Sequence, residues 1–139
     1  MKETESKIQY AGFWLRVCSL LIDTIILFGI GFGVGLMLVE LTSPNFVVAI
    51  SKPIGVIVSW LYFAFMEYKY GATFGKQALE LKVIDINGEF PTFLQATGRH
   101  FGRYLSLLIL YVGFIMAGFT KKKQALHDIL SDCLVVKKT

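Results

Sequence analysis

The sequence is poor in charge. Charged residues make up 17% of its 139 positions, where ordinary soluble domains carry about a quarter. Twelve Phe and six Tyr are more than a soluble core of this size hides. Cysteine is nearly absent: Cys18 and Cys133 form neither a disulfide framework nor a metal-ligand spacing, and read as small apolar residues. No Ser/His/Asp or Cys/His constellation can be drawn. His100 stands alone at an interfacial position, and His127 has no second partner at metal spacing. An enzyme is therefore not expected, nor a cofactor or a metal. The net charge of +4 sits on no folded basic module, so nucleic acid is not expected as a partner either. The stretch Gly71-Ala-Thr-Phe-Gly75-Lys76-Gln77 fails as a phosphate loop, because only three residues separate the glycines and Gln77 stands where Ser or Thr would bind magnesium. A turn opening a helix is the reading left.

Long apolar runs are what the chain has. Residues 1–9 are polar and form a tail, and Tyr10 to Trp14 supply an interfacial aromatic belt. Phe13 to Val39 is apolar but for Arg16 and Asp23 among charged residues, long enough to cross about 30 Å of hydrocarbon with some tilt. A cleaved signal peptide would have a shorter apolar core and a small-residue cleavage site. A second segment runs from Pro44 to Met66. Ser43-Pro44 resembles an N-cap followed by Pro at the first helical position. Pro53 predicts a kink, and Lys52 can snorkel. The connection is short, so the two helices form an antiparallel hairpin.

Residues 67–103 are polar and read as a loop. Leu81 to Asp85 alternates partly and Asn87-Gly88 is a type I′ turn signal, together suggesting a short hairpin or extended loop. Phe93, Ala96, His100, Arg103 and Tyr104 make an amphipathic run suited to the membrane surface. A third apolar run, Leu105 to Phe119, is short for a span unless it starts near Phe101. Lys121, Lys122 and Lys123 follow, placed to meet lipid headgroups. The tail ends in a short helix and a strand-like Cys133 to Val136.

The first loop carries Glu40 and no Lys or Arg. Residues 67–103 hold five Lys/Arg and the stretch after Phe119 holds five more. The positive-inside rule puts both on the cytoplasmic side, with the N-terminus. A third simple span would carry the lysine-rich tail outside. A re-entrant or tilted third segment would bring it back, and would let Leu134-Val-Val136 pair with Leu81-Lys-Val-Ile84. Both arrangements stand at this point. The expected architecture is an all-α membrane protein: a transmembrane helical hairpin, a third short apolar helix at about 101–119, and a small strand-like element on the cytoplasmic side.

Asp23 is the sharpest polar feature. An ionised Asp near a helix centre costs about 2.5–3.5 kcal/mol on insertion scales, so it must be protonated, paired or facing water. Arg16 lies seven residues earlier on the same face, about 10 Å along the axis. Either the pair handles a proton or cation, or it is a polar staple. Gly29, Gly31, Gly33 and Gly35 form two overlapping G-x-x-x-G patterns, which suit close packing within the hairpin or, less readily, a dimer.

The ordered set of motifs resembles the RDD family of bacterial membrane proteins, named for one arginine and two aspartates, over about residues 10–137. Tyr10-Ala-Gly-Phe-Trp-Leu-Arg16 looks like its opening and Asp23 like its first aspartate. Gly71-Ala-Thr-Phe-Gly-Lys76, Leu81 to Asp85 and Asn87-Gly88 resemble its central signature. Leu126-His-Asp128 resembles the second aspartate and Leu134-Val-Val136 the closing strand. Ser131-Asp-Cys133 departs from the small turn expected there. The resemblance implies a multi-pass domain of the bacterial plasma membrane, N-terminus cytoplasmic. It also implies a transport role, in some members cation/proton exchange, with Arg16, Asp23 and Asp128 as the polar centre. A chain this small encloses little space, so transport of a small ligand or cation would call for a homo-oligomer. A non-transporting scaffold or accessory subunit is the competing expectation.

Overall fold

The computed structural model describes residues 8–109 and 112–138; positions 1–7 of the polar tail, and 110 and 111 within the third apolar run, lie outside them. Helix α1 spans Phe13–Leu41 and α2 spans Pro44–Tyr70. The Ser43 hydroxyl accepts a hydrogen bond from the Phe46 amide at 3.4 Å, with Pro44 at the first turn, which is what the Ser-Pro pair predicts. Each helix outruns its expected end, at Val39 and Met66, by a few residues. The helical assignment also runs through Pro53 without interruption. Helix α2 stops at Gly71, whose φ of +67° is the left-handed conformation that closes helices.

These two helices are inside out relative to a soluble protein. The buried residues of α1 are Arg16, Ser19 and Asp23. Ile25, Phe28, Phe32 and Met37 are exposed, Phe28 by 72%. At about 1.5 Å per residue, 29 and 27 residues exceed the hydrocarbon thickness. Apolar surface outward and charge inward is the arrangement a lipid solvent selects. The chain is a membrane protein.

The region read as a loop is largely structured. It holds a short helix α3 (Phe74–Ala78), strand β1 (Leu81–Asp85) and the start of α4 (Phe93–Leu108). The Thr92 hydroxyl and the Gln95 side chain form a reciprocal capping box at the α4 start. The third apolar run is two helices, α4 and α5 (Val112–Phe119), and the chain then turns back through α6 (Leu126–Leu130) into β2 (Cys133–Lys137).

Strands β1 and β2 pair antiparallel, with Val83 opposite Val135 and Ile84 opposite Leu134. The chain also turns back at Asn87-Gly88, where the Gly88 amide donates to the Asp85 carbonyl at 3.1 Å and the Asp85 amide to the Glu89 carbonyl at 2.8 Å. That turn has positive φ only at Gly88, not at both positions as type I′ requires. The Asp85 carboxylate holds it instead, accepting from the Asn87 and Glu89 amides at 2.8 and 3.0 Å. Residues before α1 add to the sheet: the Ala11 amide donates to the Val135 carbonyl at 2.8 Å, and the Lys137 amide to that of Gln9 at 2.8 Å. Ala11, Leu81, Val83, Cys133 and Val135 fill one face of the sheet; Ile84, Leu134 and Val136 lie on the other.

The pairing is the one that a returning third run allows: the chain before α1, the chain after α2 and the C-terminal strand meet at one end of the hairpin. A Cβ on Gly29, Gly31, Gly33 or Gly35 would meet nothing within 4 Å, so within one chain the stripe does not make the close hairpin contact expected of it.

In a background lacking Cys18 and Cys133, single cysteines at Glu89 and Lys138 should react with an impermeant maleimide from the same side of sealed vesicles. A cysteine at Glu40 should react from the opposite side. Labelling of Lys138→Cys together with Glu40→Cys would contradict the returned tail.

Candidate functional site

Five helices bring their charged residues to the sheet end of the hairpin. Asp128 is fully buried at the first turns of α6. Its Oδ2 is paired with Arg16 of α1 and accepts from the Ala125 amide at 3.2 Å. Its Oδ1 accepts from Arg99 of α4, from Nη2 at 2.6 Å and Nε at 3.1 Å. Arg99, 1% exposed, also donates from Nη1 to Glu67 of α2 at 2.6 Å. The other oxygen of Glu67 pairs with Lys76 of α3. The result is a continuous alternation, Arg16–Asp128–Arg99–Glu67–Lys76, that ties every helix at this end except α5.

Arg16 does more than balance charge. Its Nε donates to the Ala11 carbonyl at 3.2 Å and its Nη2 to the Lys123 carbonyl at 2.6 Å. One guanidinium thus fixes the chain entering α1 and the chain entering α6. The fixed fork of five donors is what lets Arg, and not Lys, do this.

Asp23 belongs to a second, neutral hub. Its Oδ1 accepts from the Tyr62 hydroxyl at 2.7 Å and the Gly75 amide at 2.8 Å. Its Oδ2 accepts from the Thr73 hydroxyl at 2.6 Å. Gly75 lies so close to α1 that a Cβ there would run into the Ser19 carbonyl and come within 2.9 Å of the Asp23 carboxylate. The 71–76 stretch is therefore legible residue by residue. Gly71 ends α2, Thr73 caps α3 and reaches Asp23, Gly75 permits contact with α1, and Lys76 meets Glu67.

The three residues expected to form one centre divide accordingly. Arg16 and Asp128 are in contact; Asp23 makes its bonds elsewhere, and Arg16 and Asp23 meet only as walls of a cavity of about 30 Å³ shared with Lys76, Arg99, Arg103 and His127. Such a space admits a water or two. Glu67, Lys76, Arg99, Tyr62 and Thr73 were not expected. Arg99 lies on the helix read as amphipathic and suited to the membrane surface, yet its side chain points inward. The signal was available in part: acids and bases lying beside long apolar runs need partners, and Asp23 and Asp128 alone leave too many cations unmatched. Lys121, Lys122 and Lys123 are exposed, as headgroup contact requires.

The electrostatics follow from burial. Burial pushes the Asp128 carboxyl up, but Arg99 and Arg16 overcome it and hold it well below the usual carboxylate range. Burial pulls the Lys76 ammonium down to about 8 against the attraction of Glu67. His127 is pulled down to about 3, first by burial and then by Arg103, Arg99 and Arg16, against Asp128.

Asp128→Asn leaves two buried guanidinium groups short of their counter-charge, and should cost about 3–5 kcal/mol in reversible unfolding in detergent. Asp132→Asn, at an exposed neighbour, should stay within about 0.5 kcal/mol. His127 gives a pH signature. Its folded pKa of about 3 lies below its unfolded value of 6.5, so the unfolded chain takes up a proton first as pH falls. Its contribution is full above 6.5 and shrinks by about 1.4 kcal/mol per pH unit toward 3. His127→Gln should make the loss of stability between pH 6.5 and 4 shallower; an unchanged slope would assign it to other groups.

Comparison with known proteins agrees with this arrangement of motifs. The chain is 35% identical over 148 aligned residues to the uncharacterized protein YxaI of Bacillus subtilis (strain 168), covering 92% of this chain and 97% of that one. It is 27% identical to the uncharacterized membrane protein YteJ of the same organism, over 91% of this chain and 80% of the other. An uncharacterized protein of Rickettsia prowazekii (strain Madrid E), RP437, is 31% identical over 59% of this chain and 46% of its own length. No solved structure is significantly similar. The RDD family model matches residues 10–132, which take in Arg16, Asp23, the 71–76 turn and Asp128: the chain belongs to the RDD family.

Proposed function

We propose that the chain is a non-transporting module of the bacterial plasma membrane, a scaffold or accessory subunit with its N-terminus, 67–103 region and C-terminus on the cytoplasmic side. The orientation rests on the Lys and Arg of those segments against a hairpin tip that has none. The observation that carries the functional reading is the saturation of the acids. Asp128 and Glu67 are each held by two cations, and Asp23 accepts from three neutral donors. A cation site needs oxygen acceptors facing an open space. Here the donors and the positive charge face inward, and the acids hold helices together.

Cation/proton exchange is the second reading, and one observation favours it. The small cavity has Asp23 in its wall beside Arg16 and Lys76, so a water there would touch a carboxylate beside the spanning helices.

The full chain in proteoliposomes, under a sodium or potassium gradient with an internal pH dye, separates the two. The scaffold reading expects dye traces equal to those of empty vesicles from pH 6 to 9, and a lower melting temperature for Asp23→Asn. A pH-dependent flux that Asp23→Asn abolishes while its melting temperature stays at the wild-type value would overturn it in favour of exchange.

A further inference from the structure

The hairpin encloses a second space. It is a groove of about 960 Å³ between α1 and α2, running from Leu38, Val39 and Val47 near the hairpin tip to His100, Arg103 and Tyr104 of α4 at the sheet end. Its walls are almost entirely apolar, and its volume stands at the upper end of small-molecule sites. The two ends differ in kind. The tip end is apolar, whereas the sheet end carries His100, Arg103 and Tyr104 of α4.

Two side chains at the polar end lack a hydrogen-bond or ion-pair partner among the described residues. His100 is 3% exposed, and neither ring nitrogen has a hydrogen-bond partner among the described residues. The rings of Phe63, Phe101 and Tyr104 surround it, at 5.3–5.6 Å between centroids. A buried imidazole must carry at least one N–H, and such donors are normally paired. Arg103 lies with its guanidinium 4.5 Å over the Phe63 ring, and no carboxylate of the described residues comes within salt-bridge distance of it. The charge balance points the same way. Arg16, Lys76, Arg99 and Arg103 face Asp23, Glu67 and Asp128, four cations against three acids, and Arg103 is the one not in an ion pair.

We propose that this groove binds one anionic phospholipid of the bilayer, its phosphate against Arg103 and His100 and its acyl chains along the apolar walls between α1 and α2. Charge complementarity selects an anion at the polar end. The walls belong to spanning helices and the space lies at hydrocarbon depth, so the ligand is drawn from the membrane. A diacyl lipid oriented like its neighbours puts headgroup and chains at the matching ends. Gly31 and Gly35 line the groove and leave room for the chains. The site is independent of whether the module transports, since it uses neither the Asp23 hub nor the five-residue ion chain.

The full chain, purified in a neutral detergent, is titrated with dioleoyl-phosphatidylglycerol or dioleoyl-phosphatidylcholine and read by native mass spectrometry and by melting temperature. The wild type should retain one phosphatidylglycerol per chain, with a rise in melting temperature and about fivefold preference over phosphatidylcholine, the value of one basic residue meeting an anionic headgroup. Arg103→Gln should bring the preference close to one. Gly31→Leu/Gly35→Leu should weaken both lipids while the ion chain stays intact, which keeps the proposal testable should Arg103→Gln fail to fold. Equal affinity of the wild type for both lipids would overturn it. So would a preference that survives Arg103→Gln and falls in Lys121→Gln/Lys122→Gln/Lys123→Gln, which would assign it to the exposed lysines. A lipid-free dimer that Gly31→Leu/Gly35→Leu turns into monomers would instead make a second copy the occupant.

Discussion

The structure depends on burying the two guanidinium groups of Arg16 and Arg99 against the single carboxylate of Asp128. A charge taken out of water costs several kcal/mol and is tolerated only with paired, hydrogen-bonded neighbours. That demand dictates much of the fold. It brings α6 to the foot of α1, and α4 to the foot of α2 through Glu67. Apolar burial contributes little to holding the hairpin, since lipid tails solvate Leu and Phe as well as a neighbouring helix does. The apolar clusters among the described residues are small and centred on the sheet, with Leu15 at the foot of α1 packed against one of them.

A network of this kind specifies geometry more than it adds stability. Replacing buried ion pairs with well-packed apolar residues is often neutral or favourable. In a membrane such residues would not choose one partner over another, because every surface offered is apolar. Ion pairs and the directed bonds to Asp23 do choose. The Asp23 hub fixes the 71–76 turn against α1, and the Asp128 hub fixes the returning tail. Two polar anchors hold the sheet end and the two-residue connection holds the tip, and the groove lies along the helices between them.

The sequence was informative where the signal is local or comes from the solvent. Both spanning helices, the Ser43-Pro44 cap and the Leu134–Ile84 pairing follow from run length, capping chemistry and strand pattern. The bridge from residues 9–11 to the sheet did not, because its pairing is non-local and its residues read as an interfacial tail. The inward face of Arg99 was missed for a related reason. An amphipathic helix with basic residues looks the same whether that face meets headgroups or buried acids, and only the positions of Glu67 and Asp128 decide it. Small-residue spacing says that close approach is permitted, not that it happens, and within this chain the glycine stripe meets no neighbour.

The return of the tail also sets an order of events during synthesis. Arg16 and its partner Asp128 are separated by 112 positions. At about 5–20 residues per second the arginine is made roughly 5–20 s before its counter-charge exists. Throughout that interval the hairpin carries an unmatched cation near one end and an acid a turn or two deeper. The long arginine side chain can keep its charge at headgroup level until then. Membrane insertion and completion of the fold are thus two separate steps, and the second is withheld until Asp128 and β2 have been made.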